Sequence, residues 1–151
     1  MVKHFIIDGN NLIGYNKDIK KIEKSVAQSS RGNLVVMLQK YFYAKKVNVS
    51  LFFDGFEKER ISSGKIKIYY SNTKTADDLI RNEISKSRNP KNICLVSSDL
   101  QLCEFAKKNS CAIKSSTEFW KDYYKTPTKT EKENIEKFIS NDEIMKLFGL
   151  K

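Results

Sequence analysis

Short apolar runs alternate along the chain with segments whose apolar residues recur every three or four positions. That pattern predicts an α/β layer built on a largely parallel sheet. The runs are HFII ending at Asp8, VNVSLFF ending at Asp54, KIKIYY, NICLV followed by Ser97, Ser98 and Asp99, and a short run over residues 112–114. Between them, Ser30 to Lys46 carries Leu34, Val35, Leu38, Tyr41 and Phe42 at helical spacing. TADDLIRNEISKS places Ala76, Ile80 and Ile84 at four-residue steps, and Leu100 to Asn109 is also helical. SSTEFWKDYY predicts a further helix, opened by a capping box from Ser115 to Glu118. The stretch after Asp8 reads as a loop rich in glycine and asparagine. The expected fold is a three-layer open sheet, mainly parallel, with helices on both faces.

Pro127 interrupts this pattern and marks a linker, because proline cannot sit inside a helix. Residues 1–126 are then expected to form one domain and residues 127–151 a C-terminal extension packed on it, with a partner-binding tail as the alternative. Within the extension, Ile135, Phe138 and Ile139, then Ile144, Leu147 and Phe148, predict two short helices. The second is capped by Ser140 with Glu143 and stopped at Gly149.

Charge changes the picture next. Lys and Arg number 28 against 18 Asp and Glu, a formal net charge of +10, so the surface attracts polyanions, nucleic acid foremost. Lysine-rich surfaces also serve solubility. The cysteines Cys94, Cys103 and Cys111 are odd in number and form no C-x-x-C pair, which points to a reducing compartment and away from a structural zinc site. No apolar run approaches a signal peptide or a membrane span, and the expected location is the cytoplasm.

Against this basic background the aspartates stand out. Asp8, Asp54 and Asp99 close predicted parallel strands, and ligands of open parallel sheets bind outside the carboxyl ends of the strands. A right-handed connection starts the helix bearing Asp77 and Asp78 at the same rim. Clustered carboxylates repel one another unless a cation offsets them, and hard oxygen donors suit Mg²⁺ or Mn²⁺. Such an ion binds phosphates and activates water, which is the chemistry of phosphodiester hydrolysis. Each aspartate also has an ordinary structural reading. Asp8 and Asp54 precede glycine in turns, Asp99 caps a helix, and Thr75 with Asp78 forms a capping box.

Taken together, FIIDGNNLI, Arg31 before an amphipathic helix, FFDG, TADDLI and LVSSD resemble the NYN domain of the YacP-like ribonucleases, within the PIN-like nuclease superfamily. The likeness runs over residues 2–120. It implies a metal-dependent endoribonuclease with Asp8, Asp77, Asp78 and Asp99 as metal ligands, of which Asp8, Asp77 and Asp99 carry the catalysis. It implies that Asn11 positions a carboxylate or a water, that Ser98 is the small hydroxyl residue before the last aspartate, and that Arg31 contacts the scissile strand or orients a carboxylate. The chain departs from the family at Asn10, where tyrosine is common. Asp54 ranks last, as a residue behind the ligands or a turn former. The implied substrate is RNA, single-stranded or messenger; whether it is free, structured or on a ribosome stays open, as does the oligomeric state.

Tyr15, just past the first motif, is placed to stack on a base. His4 lies early in the first strand, away from the rim, and reads as structural. Phe119, Trp120, Tyr123 and Tyr124 read as core closure rather than stacking. The chain carries neither a P-loop nor a G-x-G-x-x-G fingerprint. The rival to the nuclease is a non-catalytic RNA-binding module of the same fold. A phosphohydrolase acting on small molecules fits the positive charge less well.

Overall fold

The computed structural model describes residues 1–25 and 29–125. The chain divides into two compact units, Met1–Trp120 and Lys121–Lys151. The extension predicted over residues 127–151 lies outside the described residues.

In chain order the elements are β1 (His4–Asp8), α1 (Gly9–Gly14), α2 (Lys17–Ser25), α3 (Ser30–Phe42), β2 (Asn48–Phe53), β3 (Ile66–Tyr70), α4 (Ala76–Lys86), β4 (Ile93–Val96), α5 (Leu100–Lys108), β5 (Ala112–Lys114) and α6 (Ser116–Tyr124). The strands form one sheet in the order β3-β2-β1-β4-β5 with every pairing parallel. The predicted α/β architecture with a parallel sheet is therefore the one observed.

Alternation along the strands sorts the side chains onto two faces. Ile6, Phe52, Ile93 and Leu95 pack against Ala76, Ile80 and Ile84 of α4 and Leu102 and Ala106 of α5. On the other face Phe5 meets Phe42 of α3 at 5.0 Å between ring centroids, and Phe119 joins the cluster through Tyr41 at 4.7 Å. Burying each large apolar side chain contributes about 1.5–3 kcal/mol, so both faces are committed. Phe119 and Trp120 are buried, and the Trp120 indole donates to the Leu12 carbonyl at 2.9 Å, as core closure requires. His4, at the opposite end of β1 from the rim, is hydrogen-bonded to Ser50 at 2.8 Å.

Two helices depart from the expectation of a loop after Asp8. α1 is built from GNNLIG, whose glycines and asparagines are weak helix formers, and tertiary contacts override them. A Cβ on Gly9 would stand 2.6 Å from the Phe53 ring and 2.8 Å from the Phe52 carbonyl, so only glycine lets α1 leave β1 this close to β2. α2 follows directly, with Ile19 buried. α3 ends at Phe42, short of the expected Lys46, where the Lys45 N–H closes a turn onto the Phe42 carbonyl. No helix among the described residues is long and apolar enough to cross a membrane. Cys94, Cys103 and Cys111 are free thiols; burial pushes all three pKa values up, which keeps them protonated.

Candidate active site

The strand order reverses direction between β1 and β4, and such a switch point opens a crevice at the carboxyl edge of a parallel sheet. β1 and β4 pair from His4 with Ile93 to Ile7 with Val96. The residues that follow, Asp8 on one strand and Ser97 to Asp99 on the other, emerge side by side. Parity puts Asp8, Asp54 and Ser97 on the α4 face.

Ser97 is fully buried, and its hydroxyl donates to Asp8 Oδ2 at 3.0 Å while accepting the Asp99 N–H at 3.1 Å. One hydroxyl thus joins the two aspartates of the switch point. Burial pushes the Asp8 carboxyl up to about 6, against the pull of the Ser97 hydroxyl and the Asn11 backbone N–H. That N–H lies near the carboxylate without closing a capping hydrogen bond. The charges of Asp54 and Asp99 push Asp8 further in the same direction. Asp8 is therefore a carboxylate whose ionised form lacks sufficient compensation.

A second polar knot lies beside it. Asn11 Oδ1 accepts the Ser98 N–H at 2.9 Å and the Ser116 hydroxyl at 2.7 Å, and the Ser98 hydroxyl accepts the Ser116 N–H at 2.9 Å. Ser116 is fully buried. Asn11 and Ser98 thus sit together, and their contacts fix the loop after β4; the Asn11 side-chain oxygen meets Ser98 and Ser116, whereas the sequence motifs imply a carboxylate or a water for it to position. Ser97 and Ser116 were not among the sequence-predicted residues. The SSD motif contains Ser97, but nothing local distinguishes Ser116 from an ordinary residue beside the Ser115 cap.

The remaining aspartates are engaged elsewhere. Asp54 Oδ1 accepts the Ala76 N–H at 2.7 Å, which ties the rim to the start of α4. Gly55, at φ +81°, turns the chain sharply after it, and its N–H donates to Ser71 Oγ at 2.8 Å. Asp99 caps α5 by accepting the Leu102 N–H at 3.1 Å. Thr75 and Asp78 form the capping box of α4. Asp77, one position earlier, is ion-paired with Arg81 one helical turn away. Asp54, placed last from the sequence, is with Asp99 one of the two charges that raise Asp8.

Arg31 contacts backbone rather than carboxylate. Its guanidinium donates to the carbonyls of Asp54 at 2.6 Å and Phe56 at 3.0 Å, and lies over the rings of Phe53 at 4.9 Å and Tyr70 at 5.6 Å. Asn10, where the sequence departs from the family pattern, accepts the Asp54 N–H at 2.9 Å through its side-chain oxygen. The turn behind the rim is thereby held from α1 and α3 together. Tyr15, at the end of α1, is 52% exposed, open enough for a ring to stack on it.

Among the described residues no group of three or more His, Cys, Asp or Glu side chains is arranged to hold a metal ion. A closed protein cage is therefore not what the rim offers. Mg²⁺ ordinarily keeps several waters and takes one or two carboxylates, and a raised Asp8 with Asp54 and Asp99 acting on it fits that open mode.

The sequence matches the family described as the YacP-like NYN domain over residues 5–147. The fold is similar to the crystal structure of Rae1 (YacP) from Bacillus subtilis, 20% identical, with a TM-score of 0.68 over 96% of this chain and 83% of that one. A tryptophan-to-leucine variant of the same Bacillus subtilis protein gives 20% identity and a TM-score of 0.65 over 97% of this chain and 92% of that one. No curated protein matches. With Asp8, α4 and the loop after β4 all inside the matched span, the chain belongs to the YacP-like NYN domain family.

Proposed function

We propose that the chain is a metal-dependent endoribonuclease that hydrolyses RNA phosphodiester bonds at the rim between β1 and β4. The observation that carries this reading is Asp8, a carboxylate raised to about 6 at the switch point of the sheet by burial and by the charges of Asp54 and Asp99. Strongly raised carboxyls cluster at functional sites, where a cation or a proton transfer makes use of them. Family membership supports a nuclease-type, RNA-related activity, and the net charge of +10 suits a polyanionic substrate.

In this reading Asp8 is the first ligand of Mg²⁺ or Mn²⁺. Asp99 shares its field across Ser97, and Asp77 is supplied from α4 on release from Arg81. The bound ion supplies a Lewis acid and a water of lowered pKa. Ser97 holds Asp8 in one orientation, and Asn11 with Ser116 keeps the Ser98–Asp99 backbone from shifting. Asp54 and Arg31 brace the turn that faces them.

The non-catalytic RNA-binding module keeps a specific observation in its favour, since Asp78 and Asp99 both serve as helix caps and no three acidic side chains converge among the described residues. Incubating the purified protein with single-stranded RNA separates the two. Cleavage is expected with Mg²⁺ or Mn²⁺, to stop on chelation, and to vanish in Asp8→Asn. RNA binding that survives chelation with no cleavage under any divalent ion would establish the binding module instead.

A further inference from the structure

β3 pairs with β2 on one side and is an edge strand of the sheet among the described residues. Its register places Tyr69 opposite Phe52, and Phe52 is opposite Asp8, so the three residues form one row across the strands. Residues in one row point to the same face, so Tyr69 stands on the α4 face with Asp8, roughly 10 Å away by two strand spacings.

The Tyr69 ring is stacked on Phe52 with centroids 5.0 Å apart and planes 19° from parallel. Phe52 is 3% exposed, whereas Tyr69 is 40% exposed. The phenol ring is therefore braced on one face by a core residue while much of the side chain stays in solvent. Lys67, two residues earlier on the same strand face, is exposed. A cleft of about 490 Å³ runs along this edge, lined by Arg60, Lys67, Tyr69 and Tyr70, with Glu57 as its acidic member.

We propose that Tyr69 is a stacking platform for a base of single-stranded RNA, with Lys67 and Arg60 countering the adjoining phosphates, so that the strand passes from the β3 edge toward the Asp8 rim. The ligand class rests on the ribonuclease reading; the platform itself rests on the row and the stack. A flat ring braced on one side loses little freedom when a base covers the other, and such stacking tolerates any base. A peptide adding to the β3 edge would use its backbone, and would need neither an open ring nor flanking cations. The net charge of +10 favours the polyanion.

The test is binding of a labelled single-stranded oligoribonucleotide of about ten nucleotides to the full chain carrying Asp8→Asn, which prevents cleavage. Tyr69→Val keeps a good strand former while removing the π face, and is expected to weaken binding about tenfold; Tyr69→Phe is expected to stay within about twofold. Lys67→Ala is expected to lower the salt dependence of log affinity by about one unit of slope. Thermal melts of each variant show whether the fold is intact. Tyr69→Val binding as tightly as the parent, Tyr69→Phe losing as much as Tyr69→Val, or no binding by the parent would each overturn the proposal. So would a change in oligomeric state confined to Tyr69→Val, which would assign this edge to a second copy of the chain. Tyr69-dependent binding in a protein that never cleaves RNA would sink the nuclease reading and leave the platform standing.

Discussion

At the start of α4, acidic side chains have answering groups. Asp78 exchanges hydrogen bonds with Thr75 in a capping box, and Asp77 pairs with Arg81. At the end of β1 the balance differs. Asp8 is partly buried beside the charges of Asp54 and Asp99, and a hydroxyl and a nearby N–H only partly offset the cost of ionising it. Both regions place aspartates at a helix start, and in both the sequence offers capping as a sufficient reason. The difference is that the α4 carboxylates stabilise their own element, whereas Asp8 is held in an orientation that costs free energy. A group kept at a cost is the better marker of chemistry.

The sharpest way to break this contrast is Asp8→Asn. Cleavage should fall on the order of a thousandfold, as when a group stabilising developing charge is lost. The same change should stabilise the metal-free protein at pH 7 by about 3 kcal/mol, because the folded carboxyl titrates about two units above its ordinary value. The sign follows from proton binding. Between pH 3.8 and about 6 the folded state holds a proton on Asp8 that the unfolded state has released. Stability from this group is full below the lower value and lost as pH rises through about 6. Melting the parent and Asp8→Asn proteins from pH 4 to 7 without divalent ions checks it: the gap should widen with pH. At Mn²⁺ concentrations below saturation, cleavage should fade as pH falls, because the proton and the ion compete for the Asp8 carboxyl, and added Mn²⁺ should move that fall to lower pH.

A smaller effect tests the knot beside Asp8. Ser116→Ala removes a buried donor to Asn11 and should cost about 1–3 kcal/mol in denaturant unfolding, with a drop in cleavage of about tenfold or more. On the α4 side, Asp78→Ala breaks the capping box and should cost about 1 kcal/mol, with no change in how Asp8 titrates. Arg81→Ala should cost less still, under about 1 kcal/mol, since the pair it breaks is a third exposed. If Asp78→Ala moved the Asp8 titration by a full unit, the two regions would be one electrostatic cluster and the contrast would fail.

Much of this architecture is legible along the chain. The strands show as apolar runs because both faces of a parallel sheet are covered, and α4 shows because Ala76, Ile80 and Ile84 repeat at one turn. α1 does not, because Gly9, Asn10 and Asn11 are chosen for distant contacts: Phe53, the Asp54 N–H and Ser116. Asp8 is legible as a strand end before glycine. Ser97 and Ser116 are not, since their partners lie 89 and 105 residues away and no local period records such a bond. The rank of Asp54 depends on the same kind of information, a hydrogen bond to the first residue of α4, 22 residues along the chain and beyond β3.

The bond between Asn11 and Ser116 sets an order of events in synthesis. A chain emerging amino end first carries Asn11 early, yet the Ser116 hydroxyl that bonds it arrives only with α6. Until then Asn11 holds the loop after β4 through the Ser98 N–H alone, and the last tie of that loop is made by a residue 105 positions downstream.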